Sequence, residues 1–301
     1  MEIVPSMDFN GRELMVKSKM IGLLSCILLL LIIFNPQQCN ADNYDYLDTK
    51  ECTLVGGGSL VFLTLGHFAR SMDTTRNSII ASPFPGELSI SESIGGKYKR
   101  GRTNFLNSDA GAVYTPIVCA IMLTSANTTW PHNHSMKDAG EDLFVYTSGL
   151  AATMGVTSIF KGLIARPRPY MHVDPELAAL RNTEDFAEDH VSFFSGHASS
   201  AFFSTVYLNK RIRSIMRREM SPGEYRDYRW VPPAVLFSWA SFVGWSRIHA
   251  YQHYLSDVVI GSLVGWVVAE LFFSLLDESD TAQNKTAGAS PQMIFRYSFH
   301  F

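Results

Sequence analysis

Arg247, His253 and Asp257 stand close together in the run Ser246-Arg247-Ile248-His249-Ala250-Tyr251-Gln252-His253-Tyr254-Leu255-Ser256-Asp257. The spacing predicts that His253 and Asp257 share one face of a helix, a turn apart. A carboxylate so placed would hold the near ring nitrogen of His253 and leave the far one free as a nucleophile. Arg247 brings a planar, permanently charged fork suited to a phosphate oxyanion. Taken alone, a His/Asp pair at this spacing is a common feature of helix surfaces, so its weight depends on what accompanies it.

Two further stretches accompany it. Lys161 and Arg168 bracket Lys161-Gly-Leu-Ile-Ala-Arg166-Pro167-Arg168-Pro169, and Phe194-Ser195-Gly196-His197-Ala198-Ser199-Ser200 follows. A Lys/Arg pair, then Ser-Gly-His, then Arg, His and Asp, in this order, resembles the three-part signature of the type 2 phosphatidic acid phosphatase family. That family shares its scaffold with bacterial class A acid phosphatases and vanadium haloperoxidases, and the likeness covers roughly residues 143–276. One position departs from the pattern: Phe194 stands where the family usually has proline before Ser-Gly-His.

The resemblance assigns roles to the matching residues. Lys161, Arg168 and Arg247 would hold the phosphoryl oxygens, with the Ser195 hydroxyl and the Gly196 amide adding donors at a helix N-terminus. His253 would attack and form a phosphohistidine, and Asp257 would orient it. His197 would protonate the leaving oxygen and then activate water. No metal or other cofactor is called for, because the basic side chains do the work of a divalent cation. Arg166 beside the motif reads more readily as a surface charge, and His249 as a rim group. His132, His134 and His190 are loop histidines without a partner pattern.

The elements that must position these groups are helical. The chain has 301 residues and a net charge of −3, so its global balance does not point to nucleic acid as a partner. A hydrophobic content of 47% with a mean hydropathy of +0.05 lies between a soluble enzyme and a chain sunk in lipid. Apolar, small-residue-rich segments fall at about 54–69, 112–126, 143–165, 196–208, 233–249 and 254–276. The fold class is therefore all-α, a membrane-associated bundle of about six helices. Residues 71–110 read as loop with one short helix, and Pro232-Pro233 as a helix start. Cys26, Cys39, Cys52 and Cys119 show no metal-ligand spacing. Cys39 and Cys52 could pair outside the cytoplasm or stay unpaired.

The N-terminal residues 1–41 read as an export segment. Arg12, Lys17 and Lys19 precede the apolar run Met20–Phe34, followed by Cys39-Asn40-Ala41, the order of a cleaved secretory signal or a signal anchor. Residues 42–276 form the helical phosphatase domain and 277–301 a polar tail ending in an aromatic, strand-like segment, Phe295–Phe301. The basic stretch Lys210 to Arg229 is either a solvated helix end or a cytoplasmic loop under the positive-inside rule. The second choice brings all three motifs to one outer face. With a cleaved leader and all six segments spanning, however, the motifs would fall on the cytoplasmic side. The segment at 54–69, with three consecutive glycines, is the weakest span. Asn127, Asn133 and Asn284 each open a glycosylation acceptor pattern.

These readings combine into an exported, metal-independent phosphatase, its site on the outer face of the cell membrane or in the periplasm. Its substrate would be a lipid phosphate or pyrophosphate: phosphatidate, phosphatidylglycerophosphate, an isoprenyl pyrophosphate or lipid A. A soluble acid phosphatase for small phosphomonoesters is the alternative on the same scaffold. A vanadate-dependent haloperoxidase is a third, disfavoured by the short connections between motifs.

Overall fold

The computed structural model describes residues 49–71, 78–98, 110–129, 136–174 and 189–283. The export segment, the loops between these blocks, Asn133, Asn284 and the terminal aromatic segment lie outside the described residues. Among the described residues every regular element is helical and no strand is present. In chain order these are α1 (Thr49–Ser71), α2 (Glu87–Gly95), a π-helical turn (Ala110–Tyr114), α3 (Thr115–Thr129), α4 (Met136–Ile164) and α5 (Tyr170–Val173). They continue with α6 (Gly196–Glu219), α7 (Pro222–Tyr228), α8 (Val231–His249) and α9 (Leu255–Gln283). All six apolar segments are helices, and the short helix expected within 71–110 is α2.

α6 is the central element, packed against α3, α4, α8 and α9, while α1 lies along α4. Its first half, from Ala198 to Asn209, is almost continuously buried and mixes small with aromatic side chains. That composition lets neighbours approach closely on several sides, so α6 has no polar face in this stretch. The tightest approach is α9. A Cβ at Gly261 would sit 2.6 Å from the Ser195 carbonyl oxygen, and one at Gly265 would collide with the Ser199 carbonyl oxygen. Only glycine allows the two helices to run this close.

Helix boundaries follow local chemistry. Ala165 adopts a left-handed conformation (φ 50°) after the last turn of α4, and Pro167 follows at once. Ser195 caps α6 by accepting from the Ala198 N–H. Ser221 and Glu224 form a reciprocal capping box on α7, with Pro222 at its first position. Pro232 and Pro233 open α8 as expected. The basic stretch from Lys210 is divided: as far as Arg218 it is the helical end of α6, and α7 follows as a separate capped turn. α9 runs on to Gln283, past the boundary at 276.

At the end of the bundle remote from the three motifs, α3, α4 and α6 share a buried polar knot. Asp142 Oδ2 accepts from Asn127 Nδ2 and from Arg211 Nε, each at 2.7 Å, and Oδ1 accepts from the Tyr207 hydroxyl at 2.8 Å. A buried carboxylate holds its charge in such a setting only when its lone pairs are met. Asn127 is thus a buried structural side chain of α3 rather than an accessible glycosylation acceptor.

Among the described residues, three helical stretches are long and apolar enough to cross a membrane: Lys50–Arg70, Ala139–Ile164 and Leu255–Ser274. The first includes the segment read as the weakest span; its glycines lower neither its length nor its mean hydropathy enough to disqualify it. The bundle turns large apolar side chains outward, among them Leu54, Val61 and Leu65 on α1, Ile117 and Ile121 on α3, and Val259, Leu263 and Val267 on α9.

Candidate active site

Three helix ends and one turn converge. Lys161 lies in the last turn of α4, Ser195 to His197 open α6, Arg247 lies in the last turn of α8, and His253 sits in the turn before α9. Arg168 follows α4 on an extended segment whose N–H donates to the Asp189 carbonyl at 2.9 Å. The side chain of Thr157, one turn before Lys161, bonds Ser199 one turn into α6 at 3.1 Å, fixing α4 against α6. A Cβ on Gly196 would lie 3.9 Å from Lys161 Cε, so the ammonium stem reaches the N-terminus of α6.

His253 is placed differently from the sequence expectation. It is not on one helix with Asp257: α8 ends at His249, Tyr251 takes a left-handed conformation (φ 57°), and α9 starts at Leu255. The Arg247 carbonyl accepts from the Gln252 and His253 N–H groups, so the chain folds back and sets His253 beside Arg247. Nor does Asp257 hold the ring. Its Oδ2 lies 3.9 Å from His253 Nδ1, whereas the Ser192 carbonyl oxygen lies at 2.7 Å. A carbonyl can only accept, so Nδ1 carries the proton and Nε2 keeps its lone pair.

Asp257 instead ties the backbone around the ring. Its Oδ2 accepts from the Ser192 hydroxyl at 2.6 Å and from the Tyr254 N–H at 2.9 Å, capping α9, and its Oδ1 accepts from Arg166 Nη1 at 2.6 Å. Its carbonyl accepts from the Ser195 N–H at 3.0 Å, joining the start of α9 to the start of α6. Ser195 is buried. Phe194, where the resemblance expects proline, is buried too, against the ring of Phe160, and the Phe193–Phe194 peptide is cis.

The electrostatics register the convergence. Burial pushes the His253 pKa well below its ordinary value, and the charges of Lys161, Arg168 and Arg247, with His197, push in the same direction. His197 is lowered likewise, by burial first and then by Arg247, Lys161 and Arg168. Each histidine therefore lies within electrostatic reach of the same three cations. The lowered pKa of each ring favours its neutral form. The cations are held in place by their surroundings: Arg247 is buried, and Arg168 Nη1 donates to Gln252 Oε1. Such a cluster of cations and helix-end amides can receive a tetrahedral or trigonal oxyanion, with an unprotonated ring nitrogen beside it. Among the described residues no group of three or more His, Cys, Asp or Glu could hold a metal ion.

Some residues were not legible as functional. Ser192 and Gln252 contact members of the site without belonging to a motif, and Glu87 lies in a stretch read as loop. Arg166 is neither a surface charge nor a member of the cation cluster: it is fully buried and bridges Glu87 to Asp257. Its place next to a motif was the available signal. His249 ends α8 against the ring of Trp245, at 5.0 Å between centroids.

Fold and site together define an all-helical protein whose helix ends bring lysine, arginine and histidine within electrostatic reach of one another. Residues 142–280, a little under half of the chain, match the family model described as PAP2 superfamily. Among curated proteins it is 28% identical to human phospholipid phosphatase 2, over 43% of this chain and 49% of that protein. It is 23% identical to rat phospholipid phosphatase 1 over 73% and 80% of the two chains, and 26% identical to the mouse protein of that name over 45% and 50%. The chain thus spans about half the length of the human relative. The crystal structure of Aquifex aeolicus LpxE aligns with 65% of this chain and 99% of its own at a TM-score of 0.41 and 19% identity, a likeness from which nothing further follows.

Proposed function

We propose that this chain is a metal-independent phosphatase that hydrolyses a lipid phosphate or pyrophosphate through a phosphohistidine at His253. The observation that carries the reading is the 2.7 Å contact of His253 Nδ1 with the Ser192 carbonyl oxygen: it puts the proton on Nδ1 and leaves the Nε2 lone pair for phosphorus, in a ring that feels the charges of Lys161, Arg168 and Arg247. Phosphoryl transfer needs little else than positioning, charge neutralisation and a proton for the leaving oxygen.

The phosphoryl group would rest on the three cations and the Gly196 amide, in line with His253 Nε2. Attack makes the N–P bond as the ester P–O bond breaks, and the leaving oxygen takes a proton from His197. His197 is neutral in the empty site because burial and the cations disfavour its charge; a bound phosphate dianion offsets those cations and lets the ring carry the proton. In the second half, neutral His197 takes a proton from water, which attacks phosphorus and releases inorganic phosphate and His253.

The lipid character of the substrate is supported by the three apolar helices and the outward-facing apolar side chains, and by the names of the curated relatives. Large apolar side chains turned outward along helices of spanning length suit lipid better than water. Export and a site on the outer face belong to the same proposal. Assay of the purified chain on long-chain phosphatidate, an isoprenyl pyrophosphate and a water-soluble phosphomonoester tests it. Higher kcat/KM on the long-chain substrates is expected, since each buried CH₂ contributes about 0.8 kcal/mol. Equal rates on all three would favour a soluble-substrate phosphatase, and no phosphate release from any would overturn the proposal.

A further inference from the structure

Behind the groups that would touch substrate lie two charges that belong to no motif role, Arg166 and Glu87, joined to the motif residue Asp257. The guanidinium of Arg166 is fully buried. One prong bonds Asp257 Oδ1 at 2.6 Å and Ser256 Oγ at 2.9 Å; the other bonds Glu87 Oε2 at 2.5 Å. Its Cζ stands 4.1 Å from the Tyr254 ring centroid and 4.9 Å from that of Phe84, so aromatic faces close it off from solvent. Glu87 also accepts from the Phe84 N–H at 2.8 Å and the Ser256 N–H at 3.3 Å.

Three charges withdrawn from water are a poor device for stability alone. Desolvation offsets most of their attraction, and apolar packing of the same volume often serves as well or better. What Asp257 and Arg166 touch in common is more telling. Asp257 holds the Ser192 hydroxyl at 2.6 Å, and the Arg166 carbonyl accepts the Ser192 N–H at 3.0 Å. The Ser192 residue is thus pinned on both sides, and its carbonyl is the acceptor for His253 Nδ1 at 2.7 Å.

We propose that Glu87 and Arg166 are positioning residues for His253: they fix Asp257, Asp257 and Arg166 fix Ser192, and the Ser192 carbonyl fixes the ring and its tautomer. This rests on the phosphatase reading of the site. A loosened Ser192 frees the imidazole to turn or to move its proton to Nε2, where it has no lone pair for phosphorus. The cation cradle of Lys161, Arg168 and Arg247 contains none of these groups and is left in place.

The test separates nucleophile geometry from anion binding. Full-length wild type, Glu87→Gln, Arg166→Lys and Arg166→Met are purified in detergent micelles. Each is measured for kcat and KM on a phosphomonoester and for inhibition by orthovanadate and by inorganic phosphate. Vanadate becomes five-coordinate by bonding the attacking nitrogen and so reports on the ring; phosphate reports on the cradle. Glu87→Gln and Arg166→Lys are expected to lower kcat and weaken vanadate inhibition together, by about tenfold or more, with KM and phosphate inhibition within about twofold. If Arg166→Met does not fold, the two conservative variants still decide the matter. Parallel loss of vanadate and phosphate inhibition, or no change in either, overturns the positioning role. A wild type that neither turns over a phosphomonoester nor binds vanadate overturns the phosphatase reading itself, and this inference with it.

Discussion

Replacing Gly261 by alanine places one methyl group on the contact that joins α9 to the start of α6. The added Cβ would sit 2.6 Å from the Ser195 carbonyl oxygen and 3.4 Å from the Ser195 nitrogen and carbonyl carbon. Ordinary contact begins near the second of these distances, so α9 must retreat from Ser195 by about 0.8 Å. Backbone cannot rotate out of the way as a side chain could. The 3.0 Å bond from the Ser195 N–H to the Asp257 carbonyl then lengthens, and the relation of His253 to the α6 N-terminus shifts with it. A misplacement of about 1 Å at a reacting centre costs roughly a hundredfold in rate, and overpacking of this kind costs about 1–3 kcal/mol in stability. Gly261→Ala should therefore stay folded in detergent, with a Tm lowered by some degrees and kcat reduced about 30- to 100-fold. The assay is phosphate release from long-chain phosphatidate in mixed micelles, with near-UV circular dichroism on the same sample. A folded variant with kcat within about threefold of wild type would refute the coupling of this helix contact to the chemistry.

Other outcomes follow from the same geometry. His253→Gln should abolish turnover and leave the fold intact. Asp257→Asn should lose activity by orders of magnitude, because it loosens the hold on Ser192 and with it the His253 ring, while Arg166 keeps its ion pair with Glu87; kcat measures the loss and denaturant titration checks the fold. His197 and His253 both have pKa values below the ordinary 6.5, so as pH falls the unfolded chain binds their protons first. The stability associated with the two neutral rings is full above about pH 6.5 and falls progressively below it. Thermal unfolding from pH 7.5 to 5 should thus fall more steeply for wild type than for the His197→Gln/His253→Gln double variant, and equal slopes would contradict this. Phosphatase activity should survive EDTA and be inhibited by vanadate, whereas loss on chelation with recovery on adding Mg²⁺ would point to another mechanism.

The helices and the members of the site were legible in the sequence to different degrees. Apolar segments of helical length located α1, α3, α4, α6, α8 and α9, because burial in a bundle leaves long runs with few charges. The short α2 and its buried Glu87 could not be read as functional, since a lone glutamate in a polar stretch is ordinarily solvated. The helical continuity assumed from His253 to Asp257 failed because nothing in Ala250-Tyr251-Gln252 marks a break: there is no glycine or proline, and the left-handed residue is a tyrosine. Asp257 itself is the available sign, an acidic side chain that lies three residues into a helix and accepts the N–H of Tyr254 just before its start. The fold of the chain replaced the expected His/Asp pair by a His/carbonyl pair, an arrangement no spacing rule records. In sequence Arg166 reads as a surface charge because an arginine beside a motif usually is one; only the placement of Glu87 across from Asp257 gives it a reason to be buried.

The central claim is that His253 Nε2 accepts the phosphoryl group, and trapping tests it most directly. Wild-type protein mixed with ³²P-labelled substrate and quenched in alkali within milliseconds should carry label that is stable to base and labile to acid, on the peptide containing His253. His253→Gln should carry none, and His197→Gln should accumulate label where wild type turns it over. Label on another peptide, or undiminished labelling of His253→Gln, would contradict the account.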